Sequence, residues 1–158
     1  MDKKFIVFLK CAIYFIGLIV FGLCVFWLPM MANEMAALEP TLAYLKFPVL
    51  IGIYMTAIPF FYALYQAIYL LNLIKQEHAF SQDAILSLKE VKLSAIFIVI
   101  IYVIGLVFLW SQSALHPGIA LMGLTIVFTS ILITVFTAVL QELFRSALEI
   151  KLENDLTV

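Results

Sequence analysis

The chain of 158 residues has little charge for its size, because Asp, Glu, Lys and Arg make up only 12% of it. A soluble domain carries roughly 25% charged and about 45–50% apolar residues. Here 66% of the residues are hydrophobic, and the mean hydropathy is +1.17. A water-soluble globular domain is therefore excluded, since too few charged side chains are present to cover its surface.

Cysteine and surplus positive charge are also scarce. Cys11 and Cys24 are the two cysteines. On one helix they stand about 20 Å apart, too far for a disulfide, which needs Cα atoms within about 7 Å. Nine basic and ten acidic side chains give a net charge of −1, which predicts no direct binding of nucleic acid.

Motifs that carry chemistry are missing as well. The sequence contains no Gly-rich phosphate loop, no H-E-x-x-H zinc motif and no nucleophile elbow. The membrane spans predicted below place His78 and His116 on opposite sides of the membrane, so we expect no metal site. We therefore predict a protein that is not an enzyme and binds no cofactor.

Long apolar runs are what the sequence has in abundance. A membrane helix needs about 20 mostly apolar residues. Four runs meet this requirement, and we predict spans at residues 5–28, 47–74, 93–110 and 118–141. Short connections make consecutive spans antiparallel neighbours. The sequence thus predicts an all-α fold, a single integral membrane domain over residues 1–158 that forms an antiparallel four-helix bundle.

Orientation follows from the distribution of Lys and Arg, which favour cytoplasmic loops. Eight of the nine basic residues lie at the two termini or between the second and third spans, and the exception is Lys46. Both termini are therefore predicted to be cytoplasmic in a multi-pass protein of the cell membrane. Lys10 lies inside the first span, and we expect its ammonium to reach back to the lipid headgroups.

The segments outside the spans are short. Residues 29–46 are predicted as an external loop. Ser81 is predicted to cap a helix that runs on into the third span. After the fourth span, the sequence predicts a cytoplasmic helical tail at 142–153, which Asn154 and Asp155 end.

The second span carries a polar stripe. Tyr62, Tyr65, Tyr69 and Asn72 share one helix face, and Gln66 flanks it. Polar groups buried in lipid demand hydrogen-bond partners. The stripe is interpreted either as a ligand- or partner-binding surface or as a seam that bonds to neighbouring helices.

The fourth span shows a different pattern. Ser130, Thr134 and Ala138 recur every four residues. Small side chains allow helices to approach closely, so the pattern favours helix packing. A permeation path is the functional alternative.

The predicted cytoplasmic side also offers candidate docking residues for a partner: Phe80 and Ser81 in the linker, and Leu156 and Val158 in the tail. Apolar side chains at the end of a tail gain from burial in a groove. A frayed terminus, or a tail packed against its own linker, is the alternative.

A family resemblance covers essentially the whole chain. It rests on residues 44–72, YLKFPVLIGIYMTAIPFFYALYQAIYLLN, on the Ala79-Phe80-Ser81 turn and on residues 153–158, ENDLTV. These segments resemble the YoaS-like family of bacterial four-span membrane proteins, domain of unknown function 2975. Members of that family are often encoded next to a small helix-turn-helix regulator of the Cro/C1 type. The resemblance implies a regulatory pair, and it carries over no catalytic residues.

Two classes of function follow from these observations. The first is a non-enzymatic membrane modulator or sensor that engages a cytoplasmic partner, such as the helix-turn-helix regulator. The second is a small oligomeric transporter or channel. The lack of an intramembrane carboxylate favours the first class, because proton-coupled carriers use such groups.

Overall fold

The computed structural model describes residues 2–157, and every regular element in that range is helical. Its α-helices are α1 (Lys3–Gly22), α2 (Leu28–Leu38), α3 (Lys46–Lys75), α4 (Gln82–Ser111) and α5 (Pro117–Leu156). A π-helical turn at Leu23–Trp27 joins α1 to α2, and a 3₁₀ helix at Pro40–Leu45 leads into α3.

These elements form four continuous segments that are long and apolar enough to cross a membrane: Lys3–Leu38, Pro40–Lys75, Gln82–Ser111 and Pro117–Leu156. The predicted all-α fold with four spanning helices is confirmed. Each segment is longer than the apolar run within it. The 40 residues of α5 extend about 60 Å, twice the roughly 30 Å of a hydrocarbon core.

The segment at 29–46 differs from the predicted loop. It is largely helical, because α2 continues the first segment and the helix ends only at Glu39. Pro29 stands in the first turn of α2, where a missing N–H costs little. The residues that follow are mostly Met and Ala, which favour helix. The predicted loop is therefore wrong over residues 29–38, because the end of an apolar run does not end a helix whose following residues favour it.

The end of α5 also differs from the prediction. Asn154 and Asp155 do not stop the helix, which runs on to Leu156. Neither residue is a strong helix breaker such as Gly or Pro, and each costs at most roughly 0.7 kcal/mol more than Ala in a helix. The tail is therefore a direct extension of the fourth span.

Two tight turns reverse the chain. After α3, Glu77 adopts a left-handed conformation with φ 62°, and the His78 amide donates to the Leu73 carbonyl at 2.8 Å. Ser113, with φ 54°, begins the same pattern after α4. Each is a Schellman motif, which satisfies carbonyls left over at a helix end.

Ser81 starts α4 as predicted. Its Oγ accepts a hydrogen bond from the Ala84 amide at 3.2 Å and donates to the His78 carbonyl at 2.8 Å. The hydroxyl thus satisfies one of the amides that a helix start leaves without a partner. The predicted N-cap is confirmed, and the Ser81 hydroxyl uses both of these hydrogen bonds within the turn and the helix start.

The spanning helices are antiparallel and pack in chain order. Within the described residues, α4 lies closely along both α3 and α5, whereas α1 packs more lightly against α3. Both ends of the described chain, 2–157, and the α3–α4 turn therefore lie at one end of the molecule, called here the terminal end. The opposite end, with α2 and the α4–α5 turn, is called the loop end.

A seam of small residues holds α5 against α4. Gly123, Ser130 and Thr137 are buried and recur every seven residues. This spacing suits helices that cross at about +20°. Within the four-residue pattern that the sequence suggests, Ser130 is buried, whereas Thr134 and Ala138 are half-buried. The pattern therefore belongs to a packing seam, although its repeat is seven.

Candidate functional site

Most of the hydrogen bonds between the spanning segments lie at the terminal end, whereas Tyr44 donates to Gln112 and Tyr54 to the Cys24 carbonyl toward the loop end. The side chains of the terminal-end bonds are called here the polar layer, and they come from all four spanning segments: Lys10, Tyr62, Gln66, Asn72, Ser87, Glu90, Lys92 and Gln141. Most of the buried apolar side chains lie at the same end: Ile6, Leu71, Leu73, Ala84, Ile85, Leu88 and Ala95. The terminal end is therefore the best-packed part of the molecule.

The first contact of the polar layer joins α1 to α3. The Lys10 Nζ atom donates to the Asn72 Oδ1 atom, and both side chains are half-buried. Lys10 lies about 10 Å along α1 from its start at Lys3. Lys10 was expected to reach back to the lipid headgroups, whereas the antiparallel packing places the Asn72 amide oxygen level with its ammonium.

The second contact joins α3 to α4. The Gln66 Nε2 atom donates to the Tyr62 hydroxyl at 3.0 Å, and that hydroxyl donates to the Glu90 Oε2 atom at 3.3 Å. Ser87, which is 2% exposed, donates to the Gln66 carbonyl at 2.9 Å. Two residues of the sequence-predicted stripe thus bond to α4.

The rest of that stripe behaves differently. Asn72 bonds to α1, and Tyr69 lines a recess described below. Tyr65 is 62% exposed, and its hydroxyl makes no hydrogen bond within residues 2–157. The stripe is therefore divided between two neighbouring helices and an open surface, because it covers a wider arc than one contact can bury.

The third contact joins α4 to α5. The Lys92 Nζ atom donates to the Gln141 Oε1 atom at 2.8 Å, and Gln141 is 7% exposed. Sequence reasoning missed this pair, as it missed Ser87 and Glu90. The one available signal is that Lys92 and Gln141 both stand where an apolar run meets polar sequence, which places them at similar depths.

A recess of about 410 Å³ opens beside the polar layer. It lies between the end of α3 and the start of α4, and its lining is Tyr69, Asn72, Leu73, Gln76, His78, Ser81 and Asp83. The recess is open at the molecular surface, and polar side chains make up part of its lining.

The predicted docking residues occupy different environments. The Phe80 ring packs edge-on against Phe144 of α5, with 5.3 Å between centroids, and 46% of the residue stays exposed. The Ser81 hydroxyl is used by the helix cap. Leu156 is 85% exposed at the end of α5, and Val158 lies outside the described residues. The linker thus touches the base of the tail, while the end of the tail stands free of the described chain.

Similar proteins place the chain in a family. The model of the family "Protein of unknown function (DUF2975)" matches residues 30–158. The chain belongs to the DUF2975 family. It is also 44% identical to the uncharacterized membrane protein YoaS of Bacillus subtilis (strain 168), and the match covers 100% of both chains. No solved structure matches the chain. These findings confirm the family resemblance, and they confirm the prediction that the chain is a membrane protein.

Proposed function

We propose that this DUF2975 protein is a non-enzymatic cell-membrane protein whose terminal end faces the cytoplasm and holds a soluble partner. Eight of its nine Lys and Arg residues lie toward that end, in agreement with the positive-inside rule. Eight acidic residues lie there as well, so the end has no net charge. Such a surface suits a protein partner better than nucleic acid or anionic lipid.

One observation carries the proposal. The last fifteen residues of α5, 142–156, extend about 22 Å past the apolar run. On this tail, Leu152 and Leu156 are one turn apart and are 53% and 85% exposed. Phe80 and Phe144 lie at the base of the tail. This set is called here the docking strip. Apolar side chains that stand in water favour burial by a partner.

The choice of partner rests on the family resemblance. A helix-turn-helix regulator of the Cro/C1 type is small and soluble, and its own DNA-binding helix supplies the basic surface that the membrane protein lacks. A membrane protein that holds such a regulator modulates how much of it is free to bind DNA.

The small oligomeric transporter or channel is the second candidate. It needs a polar path through the bilayer, for which the hydroxyl pattern of the fourth span is the sequence candidate. Ser130 and Thr137 are 7% and 5% exposed against α4. This burial favours their role in helix packing, so the modulator is the better-supported function.

The test is capture of a purified helix-turn-helix regulator by the full-length protein in nanodiscs. We expect the double substitution Leu152→Ser and Leu156→Ser to weaken capture at least tenfold, since burial of each Leu contributes roughly 1.5–3 kcal/mol. The matched control is Leu38→Ser at the loop end, where Leu38 is 76% exposed. Capture that survives the tail substitutions, or falls equally in the control, contradicts the proposal.

A further inference from the structure

The tail carries a second apolar face, away from the docking strip. Leu143, Ala147, Ile150 and Asn154 follow one another at spacings of four, three and four residues. This is the a/d spacing of a heptad repeat, with Ala147 and Asn154 at a positions and Leu143 and Ile150 at d positions. Leu143 is 59% exposed and Ile150 is 60% exposed. No described part of the chain covers this face.

The same spacing continues into the membrane-spanning part of α5. Thr129, Ile133, Phe136 and Leu140 precede Leu143 in an unbroken heptad register. Ile133 is 45% exposed and Phe136 is 66% exposed. Around them lies a recess of about 370 Å³, which can receive side chains from a facing helix. The eight residues from Thr129 to Asn154 at this spacing are called here the α5 seam.

We infer that the α5 seam pairs with the same seam of a second copy of the chain. The seam crosses the boundary between the apolar run and the charged tail, so an occupant that covers all of it must also cross this boundary. The α5 helix of a second copy does so in the same direction and with the same spacing. The two helices then form a parallel pair about a two-fold axis normal to the membrane.

Lipid cannot cover the outer end of the seam. An amphipathic helix that lies on a membrane surface buries its apolar face among the headgroups. The tail is the uninterrupted continuation of a spanning helix, with no Gly or Pro after Gly123, so it points away from the bilayer. Ile150 lies about 14 Å past the apolar run, beyond a headgroup layer of about 5–7 Å, and must be covered by protein or remain in water, whereas Leu143 lies level with the headgroups.

The size of the seam suits a dimer. A buried Leu or Phe removes on the order of 100 Å² of apolar surface. The four large, exposed side chains of the seam thus bury on the order of 400 Å² per copy, about half of the roughly 800 Å² per partner of a standard interface, and the four smaller or half-buried positions add to this area. Asn154 at an a position is the residue type that fixes register and dimeric state in parallel coiled coils. Leu152 and Leu156 lie outside the seam, so the dimer leaves the docking strip accessible.

Disulfide cross-linking tests the dimer independently of any soluble partner. In full-length protein with Cys11→Ser and Cys24→Ser, single cysteines are placed at Leu143 and Ile150 and oxidised in native membranes. The matched control is Arg145→Cys, because the Arg145 side chain is 50% exposed, lies on the opposite side of α5 from the seam and is not part of the docking strip. We expect cross-linked dimer to form at least tenfold faster at the two seam positions than at residue 145.

A second measurement uses two differently tagged copies in nanodiscs. We expect Leu143→Glu with Ile150→Glu to reduce co-capture of the two copies at least tenfold, while Arg145→Glu leaves it unchanged. Equal cross-linking at residues 150 and 145, or co-capture that survives the seam substitutions, overturns the inference. Cross-linking of the seam cysteines to a different protein also overturns it.

Discussion

Leu106 of α4 lies so close to Gly123 of α5 that a Cβ atom on residue 123 would stand 2.7 Å from the Leu106 Cδ2 atom. Gly123 is buried, and it begins the seven-residue series that continues through Ser130 and Thr137. The absence of a side chain at residue 123 therefore makes room for the Leu106 side chain between α4 and α5. The same antiparallel packing of these two helices brings Lys92 to Gln141.

Gly123→Leu is accordingly expected to lower the free energy of unfolding by about 1–3 kcal/mol, the usual cost of overpacking a filled contact. Gly105→Leu is the matched control, because a Cβ atom on Gly105 meets nothing within 4 Å. Thermal unfolding in detergent measures both. Equal melting temperatures for the two variants would show that the close contact does not hold the helices together.

The bond between Lys10 and Asn72 predicts a coupled effect. Asn72→Leu leaves the Lys10 ammonium half-buried without its acceptor, and we expect a loss of about 1–3 kcal/mol. Lys10→Met together with Asn72→Leu removes both partners, so its stability is expected to return toward that of the wild type. A double-mutant cycle of unfolding free energies measures the coupling. Additive effects of the two substitutions would mean that the side chains act independently.

The division of the polar stripe predicts unequal roles for two tyrosines on the same helix. Tyr62→Phe removes the hydroxyl that links Gln66 to Glu90, and we expect it to cost about 0.5–1.5 kcal/mol. Tyr65→Phe alters an exposed ring and is expected to stay within about 0.5 kcal/mol of the wild type. Melting temperatures of the two variants in one detergent provide the comparison. A larger loss at residue 65 would contradict this division.

Local features of the fold could be predicted from the sequence. Apolar runs indicate the four spanning helices, because their length matches the bilayer, and Ser81 indicates the start of α4. The α2 helix was not predicted, because the bounds of the spans follow the apolar runs, whereas the Met and Ala residues after Pro29 continue the helix beyond the first run. The unfavourable helix propensities of Asn154 and Asp155 are too weak to end α5, which continues to Leu156.

The candidate site was less predictable than the fold. Tyr62, Gln66 and Asn72 were identified from their periodicity, but the helices they bond to were not. The pairs Lys10–Asn72 and Lys92–Gln141 depend on how far one helix slides along another. That register is set by contacts such as Leu106 with Gly123, which join residues distant in sequence, and local patterns do not encode it.

The orientation of the terminal end is the central claim, because both the docking strip and a soluble regulator require it to face the cytoplasm. A reporter that is active only in the cytoplasm, fused after Val158 and in a second protein inserted at Gln112, measures it directly. We predict activity at the chain end and silence at Gln112, which lies in the turn at the loop end. Activity at Gln112 with silence at the chain end would contradict the account.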